Sequence, residues 1–299
     1  MSFLQSSSAR FSFTLLISIC FGLFIPFIEN IPSTVLAILI SLIMFLSSFR
    51  VTTTELQNIS LLSLFLFSLM RFVILPVLVF FLFDNFSPSY ALGAFLLTLL
   101  PAGVTSPALS VIYSGNTSLA LILVLLTSLL APFLLPFLLS SLGSTYVEID
   151  VFELAKTISL ILILPFLLHL FVRKNKRASS WISNSSTSII TVSVGLVVMI
   201  AVAQQRSFIF EQKALFPAMI IIAVLLYLFY YLFGWFFIRK DDRANRITRS
   251  FASGYNNNML GVVLAALYFD ELTSYFAVVC IIAGAFVLVV WGKWLSTQL

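Results

Sequence analysis

The sequence predicts an all-α membrane protein with ten transmembrane helices in two inverted five-helix repeats, and its composition is the first reason. Of the 299 residues, 61% are hydrophobic and only 9% are charged, whereas soluble domains have roughly 25% charged residues. The apolar residues also fall into blocks of roughly 18–25, the length of helix that crosses about 30 Å of hydrocarbon. Because these blocks are continuous rather than alternating, transmembrane strands are disfavoured.

Ten apolar blocks define the predicted spans, numbered one to ten in chain order. They cover residues 11–28, 33–49, 61–83, 90–113, 117–142, 151–172, 188–205, 215–238, 251–269 and 272–292.

The first block lacks a small-residue cleavage site, so we interpret it as a span rather than a removed signal peptide. Cys20 and Cys280 both lie inside apolar blocks, which indicates packing residues without a disulfide. We expect neither a metal nor a cofactor.

Basic residues concentrate in the loops on one side of the predicted spans. They are Arg10, Arg50, Arg173, Lys174, Lys176, Arg177, Arg239, Lys240, Arg243, Arg246, Arg249 and Lys293. The loops on the other side contain only Arg206 and Lys213 as basic residues. The positive-inside rule makes the first side cytoplasmic, so we expect a multi-pass protein of the cell (inner) membrane with both termini in the cytoplasm. The net charge of +5 is then explained by the basic residues of the cytoplasmic loops. No nucleic-acid partner is expected.

Spans four and nine are too irregular for simple helices. The disruptive or polar residues are Pro101, Gly103 and Pro107 in span four, and Ser253, Gly254, Asn256, Asn257 and Asn258 in span nine. Each is the fourth span of its five-span half, and interrupted helices at matching positions of two inverted halves are typical of a transporter binding site. The alternative is that proline and glycine only kink packed helices, while the asparagines join helices by hydrogen bonds.

Three segments resemble the bile acid:sodium symporter family. They are RFVILP in span three, PAGVTSPALSVIYSGNTSLALILVLLTSLLAP in spans four and five, and SGYNNNMLGVVLAALYF in span nine. The chain is similar to a divergent, bacterial-type member of that family. The resemblance implies a core domain in which discontinuous helices four and nine cross, and a panel against which the core moves. It places the panel at residues 1–58 and 145–210 and the core at 59–144 and 211–299.

The resemblance also implies a secondary transporter that moves a small or amphipathic organic anion, bile-acid-like or pantoate-like, by alternating access. The residues implied to bind substrate are Val104, Thr105, Ser106, Asn257, Asn258 and Arg71. The residues at positions equivalent to the family's cation sites are Arg71, Ser106, Ala252, Ser253, Tyr255 and Asn256. The family's shared glutamate ligand is replaced by Ala252, and a glutamine ligand is replaced by Arg71. Sodium is therefore doubtful as a partner.

Arg71 is the most informative of these residues. It lies near the middle of span three, where an arginine costs roughly 3 kcal/mol on insertion scales, and no carboxylate occupies the middle of any predicted span. We therefore expect it to donate to the carbonyl ends and amides of the interrupted helices. One hypothesis is that it acts as a tethered cation in place of sodium. It could instead bind the substrate's anionic group by a bidentate fork, or serve only as a structural residue.

Other functions fit the sequence less well. An enzyme is disfavoured, because the chain has one histidine and no mid-membrane carboxylate to act as a base. A channel, an ordinary sodium:organic anion symporter with backbone ligands, and a transport-inactive sensor or scaffold remain as alternatives. His169 is interpreted as structural. Interfacial anchors are expected at Tyr230, Tyr231, Trp235, Trp291 and Trp294.

Overall fold

The computed structural model describes residues 7–49, 60–148, 150–238 and 241–297, and within these ranges the protein is helical with no β-strand. The α-helices are α1 Ser7–Phe24, α2 Ser33–Ser48, α3 Leu61–Leu69, α4 Leu75–Phe86, α5 Pro88–Leu99, α6 Ser106–Ile112, α7 Thr117–Leu142, α8 Val151–Val172, α9 Lys176–Gln204, α10 Arg206–Glu211, α11 Phe216–Phe236, α12 Arg243–Gly254, α13 Asn258–Tyr268 and α14 Glu271–Thr297. Three predicted cytoplasmic charges, Arg50, Arg239 and Lys240, lie outside the described residues.

The described helices are those of a multi-pass membrane protein. Six stretches are long and apolar enough to cross a membrane. They are Leu61–Asn85, Thr117–Leu142, Val151–Val172, Ser185–Gln204, Lys213–Phe236 and Glu271–Thr297. Shorter apolar helices lie within α1, α2, α5 and α13. The predicted class of an all-α membrane protein is therefore confirmed.

Spans four and nine are both interrupted, as the sequence predicts. Span four divides into α5 and α6, and Leu100, the residue after the end of α5, has extended backbone (φ −64°, ψ 141°) because it precedes Pro101. Pro107 is the second residue of α6, where its missing N–H costs no helical hydrogen bond. Span nine divides into α12 and α13, separated by residues 255–257.

Helix α12 begins earlier than the sequence predicted, at Arg243 rather than near residue 251. The expectation that Arg243, Arg246 and Arg249 are loop charges is therefore wrong. Arg243 donates to the carbonyl of Leu295 at 3.1 Å, and Arg246 donates to that of Trp235 at 3.1 Å. Both carbonyls lie in the last turn of a helix, where a cation is favoured.

Arg249 is only 5% exposed and forms an ion pair with Asp241. Burial alone would raise the pKa of the Asp241 carboxyl, but hydrogen bonds from Asn245 and Arg249 and the charge of Arg249 together lower that pKa below its ordinary value. The pair joins the loop after α11 to α12 and fixes the start of the second interrupted span.

The expectation that Tyr230 and Tyr231 are interfacial anchors is also wrong. Their exposed fractions are 2% and 0%, and those of Trp235 and Trp291 are 7% and 4%, so none of these rings presents the exposed face that an interfacial anchor needs. Tyr231 packs against Phe251 and Trp291, which connects α11 to α12 and α14.

Close packing of α11 on α12 depends on Gly234. A Cβ atom added there would lie 2.3 Å from the carbonyl oxygen of Arg249, and a backbone atom cannot move aside as a flexible side chain can. We predict that Gly234→Ala lowers the stability of the detergent-purified protein by about 2 kcal/mol or more, the upper range for overpacking. Thermal unfolding followed by intrinsic fluorescence measures the effect.

Gly143→Ala is the matched control, because its added Cβ would meet only ordinary contacts at 3.5 Å and beyond. We expect its unfolding temperature to stay within about 2 °C of the unmodified protein's, in line with the small effects of unstrained substitutions. Equal stability of the two variants would contradict the packing described for α11 and α12.

Candidate functional site

The two interruptions meet in a short backbone-paired junction, which we define as residues 101–105 and 255–257. The Gly103 N–H donates to the carbonyl of Tyr255 at 2.7 Å, and the Asn257 N–H donates to that of Pro101 at 2.9 Å. Ala102 and Asn256 form an antiparallel β-bridge. Lipid supplies no partners for unwound backbone, and this mutual pairing satisfies backbone groups of both interruptions within the protein.

Side chains complete the hydrogen bonding of the junction. Thr127 Oγ1 accepts from the Ala102 N–H at 3.1 Å. The Asn256 side chain donates from Nδ2 to the carbonyl of Leu97 at 2.9 Å. Asn257 caps α13, because its Oδ1 accepts from the Leu260 N–H at 3.3 Å. Asparagine is a favoured N-cap because its side-chain oxygen replaces a missing helical acceptor.

Arg71 reaches the junction from a π-helical segment, Met70–Ile74, between α3 and α4. A proline removes a backbone donor and crowds the carbonyl four residues earlier, and Pro76 lies two residues after the segment. Single π-helical turns inside α-helices are frequent at functional sites. Here the turn carries Arg71.

The guanidinium of Arg71 is completely buried, with an exposed fraction of 0%, and it donates four hydrogen bonds. Nε donates to Ser253 O at 3.0 Å and Nη1 to Thr98 O at 2.6 Å. Nη2 donates to Leu100 O at 3.3 Å and to Asn256 Oδ1 at 2.5 Å.

These acceptors belong to the C-terminal ends of α5 and α12 and to the residues just beyond them. The last carbonyls of a helix have no partner within that helix and carry partial negative charge. The ring of Tyr230 adds a cation–π contact at 4.4 Å. Arg71 thus makes the contacts expected from the sequence, whereas its functional role stays a prediction.

The residues implied as cation-site equivalents differ in their surroundings, and one of them, Tyr255, accepts from the Gly103 N–H through its carbonyl. Ser253 O and Asn256 Oδ1 are bound by Arg71. Ser106 and Ala252 are fully buried, and Ala252 packs in an apolar cluster that includes Phe67. The hydroxyls of Ser106 and Ser253 have no hydrogen-bond partner among the described residues.

Two cavities border the junction, and we name them by their linings. The amide cavity, about 130 Å³, is lined by Leu15, Ile40, Ile43, Met44, Gly103, Val104, Thr105, Ile190, Val194, Tyr255, Asn256, Asn257, Asn258, Met259, Ile281, Gly284, Ala285 and Leu288. The aliphatic cavity, about 200 Å³, is lined by Met44, Ser47, Ser48, Val104, Thr105, Pro107, Ala108, Val111, Thr117, Leu121, Val124, Leu125, Ser128, Leu129, Leu162, Ile163 and Phe166.

The cavities contain some of the predicted substrate-binding residues and omit others. Val104 and Thr105 line both cavities, and Asn257 and Asn258 line the amide cavity. Ser106 and Arg71 line neither, so the structure does not present Arg71 to a solute. No charged side chain of the described residues lines either cavity.

Sequence reasoning missed three residues that shape the site. Tyr230 covers the guanidinium of Arg71, and Tyr227 donates its O–H to Asn258 Oδ1 at 2.7 Å. Their three-residue spacing, which places both on one face of α11, was the available signal. Met44 lines both cavities. Nothing in its apolar neighbourhood distinguished it from other packing residues.

The fold and site define a multi-pass helical membrane protein in which two interrupted helices pair around a buried arginine. Residues 37–213 match the profile of the Sodium Bile acid symporter family. The matched region is more than half of the chain, and the protein belongs to this family. It is also 26% identical, over 68% of its length, to the probable sodium/metabolite cotransporter BASS1, chloroplastic, of Arabidopsis thaliana. The aligned region covers 51% of that relative.

We predict that Arg71→Met destabilises the protein by about 3 kcal/mol or more. Its loss leaves several buried acceptors without a donor, each costing about 1–3 kcal/mol. Arg71→Lys is expected to fall between Arg71→Met and the unmodified protein, because an ammonium has three donors where a guanidinium has five. Chemical denaturation in detergent gives the free energies of unfolding.

Arg173→Gln serves as the control, since Arg173 is an exposed arginine at the end of α8. We expect its effect to stay within about 0.5 kcal/mol. An Arg71→Met protein as stable as this control would show that the guanidinium does not hold the junction together.

Proposed function

We propose that this protein is a secondary transporter that moves a small or amphipathic organic anion by alternating access and does not use sodium as its coupling ion. The observation that carries this proposal is the position of Arg71. Its guanidinium binds Ser253 O and Asn256 Oδ1, two groups that the family resemblance assigns to a cation site. A permanently charged, covalently attached cation therefore stands where a sodium ion would otherwise bind.

Electrostatics argue against a sodium ion beside Arg71. Two positive charges in a poorly solvated interior repel each other strongly, and Ala252 supplies no carboxylate to compensate them. A buried charge needs a partner or a set of hydrogen bonds. The oxygens nearest to Arg71 are already used as its acceptors.

The amide cavity supports an anionic or strongly polar solute. The Asn257 and Asn258 side-chain oxygens accept from Leu260 N–H and Tyr227 O–H. This fixes the orientation of both amides and leaves their Nδ2 groups as the donors available to a solute. Both residues lie at the start of α13, where the helix dipole favours negative charge.

The cavities support the proposed division into panel and core. The amide cavity is lined by α1, α2 and α9 on one side and by the junction, α13 and α14 on the other. The aliphatic cavity lies between α2 and α8 and the junction, α6 and α7. We assign residues 1–58 and 145–210 to the panel and 59–144 and 211–299 to the core, as ten spans in two inverted repeats. The proposal places both termini in the cytoplasm and includes no catalysis.

A sodium symporter is the second candidate. The printed name of the Arabidopsis relative describes a probable sodium/metabolite cotransporter. In this protein the buried hydroxyls of Ser106 and Ser253 lack partners among the described residues, so they are free to join backbone oxygens as ion ligands.

Counterflow in proteoliposomes tests the proposal. Hexanesulfonate is a suitable probe because it stays anionic at all usable pH values and carries a short apolar tail. We predict that liposomes loaded with unlabelled hexanesulfonate take up the labelled compound at rates that agree within about twofold in sodium and choline media. Equal rates are expected because no charged side chain of the described residues lines either cavity, and because the fixed charge of Arg71 takes the place of a sodium ion.

Asn257→Ala is expected to lower this uptake about tenfold, the effect of losing roughly 1.4 kcal/mol of binding to a charged group. Asn85→Ala is the matched control, since Asn85 is exposed and its side chain donates to the carbonyl of Phe81 on the same helix. Uptake that requires sodium would establish the symporter instead. Absence of uptake in the folded, reconstituted protein would favour a sensor or scaffold.

A further inference from the structure

The amide and aliphatic cavities meet at a small set of residues. Met44, Val104 and Thr105 are the only described residues that line both. Val104 and Thr105 belong to the junction, which is held by its backbone pairing. Met44 comes from α2 on the opposite side. We infer that Met44 is a movable partition between the two cavities, and that its displacement opens them into one cleft that admits the apolar tail of a long solute; this inference rests on the proposed transport of organic anions.

The two cavities differ in chemistry along the proposed cleft. The amide cavity presents the side-chain N–H groups of Asn257 and Asn258. The aliphatic cavity is lined mainly by apolar side chains, such as those of Leu121, Leu125 and Leu162. A solute that fills both has a compact anionic head at the asparagines and a narrow apolar tail that passes Met44.

The side chain of Met44 is suited to move. It is 7% exposed and unbranched, and methionine adapts its three rotatable bonds to irregular spaces. Its neighbours on α2, Ile40 and Ile43, are buried, so the helix itself is fixed by packing. Rotation about the side-chain bonds of Met44 is enough to move the thioether aside and open the passage between the two cavities.

A weak contact couples this movement to binding of the head group. Asn257 Nδ2 donates to Met44 Sδ at 3.9 Å, and a thioether is a poor acceptor. An anionic oxygen in the amide cavity would take this donor, because hydrogen bonds to ionised acceptors are about twice as strong. The head group thereby releases Met44, and the tail enters the aliphatic cavity.

The test is a chain-length series of straight alkanesulfonates, from ethane- to octanesulfonate, with dissociation constants measured by calorimetry on purified protein. In the unmodified protein, we expect binding to strengthen about fourfold for each added methylene along the whole series, as burial of apolar groups predicts. In Met44→Phe the rigid ring should block the passage. Short sulfonates should still bind more tightly with each added methylene, whereas sulfonates above a certain length should bind no more tightly than the longest one that fits the amide cavity alone.

Met44→Ala tests the opposite change, since it removes the partition. We expect the longest sulfonates to bind with no break in the series. Met199→Phe is the control, because Met199 lies on α9 and lines neither cavity; its series should match that of the unmodified protein. These variants separate a blocked passage from a damaged fold.

The outcomes distinguish failure of the inference from failure of the proposed function. An unbroken series in Met44→Phe, equal to that of the unmodified protein, would overturn the role of Met44 while leaving anion binding intact. Binding that stops strengthening at the same length in every variant would also overturn it. If no sulfonate of any length binds the unmodified protein, both the anion-transport proposal and the partition that rests on it fail.

Discussion

The hydrogen bonds from Arg71 to the carbonyl ends of α5 and α12 are the interactions on which the rest of the structure depends. Two helices stop inside the protein, and their terminal carbonyls would otherwise be unpaired in a region that excludes water. The four donated hydrogen bonds and the ring of Tyr230 compensate an arginine that costs roughly 3 kcal/mol to insert. One buried charge, together with the backbone pairing of the junction, therefore makes two helix interruptions possible.

If the protein is the sodium-independent transporter that we propose, the covalent attachment of the Arg71 cation has a consequence for transport. In an ion-coupled carrier, binding of the ion completes the site, and the ion gradient drives the solute. Here the charge is part of the chain and cannot leave with the solute. The amides of Asn257 and Asn258 are oriented by groups of the protein itself, Leu260 N–H and Tyr227 O–H. Movement of solute would then follow the gradient of the solute itself or its exchange for another.

The sequence predicted the helix interruptions because Pro101, Gly103 and the three asparagines disrupt a helix wherever they occur. It also predicted the partners of Arg71, since no mid-span carboxylate was available to it. The start of α12 was missed because Arg243 and Arg246 look like loop charges until the carbonyls of Leu295 and Trp235 are near them. The roles of Tyr230 and Met44 depend on contacts between distant segments, which no local pattern contains.

Thermal unfolding of the purified protein, as sodium replaces choline at constant ionic strength, tests the tethered-cation account most directly. A ligand that binds only the folded state at about 100 times its dissociation constant adds roughly 2.7 kcal/mol of stability. The account predicts no sodium-specific change in the unmodified protein. It predicts that a sodium response appears in Arg71→Gln combined with Ala252→Glu, which removes the fixed charge and supplies a carboxylate. A clear sodium-specific rise in the unmodified protein would contradict the account.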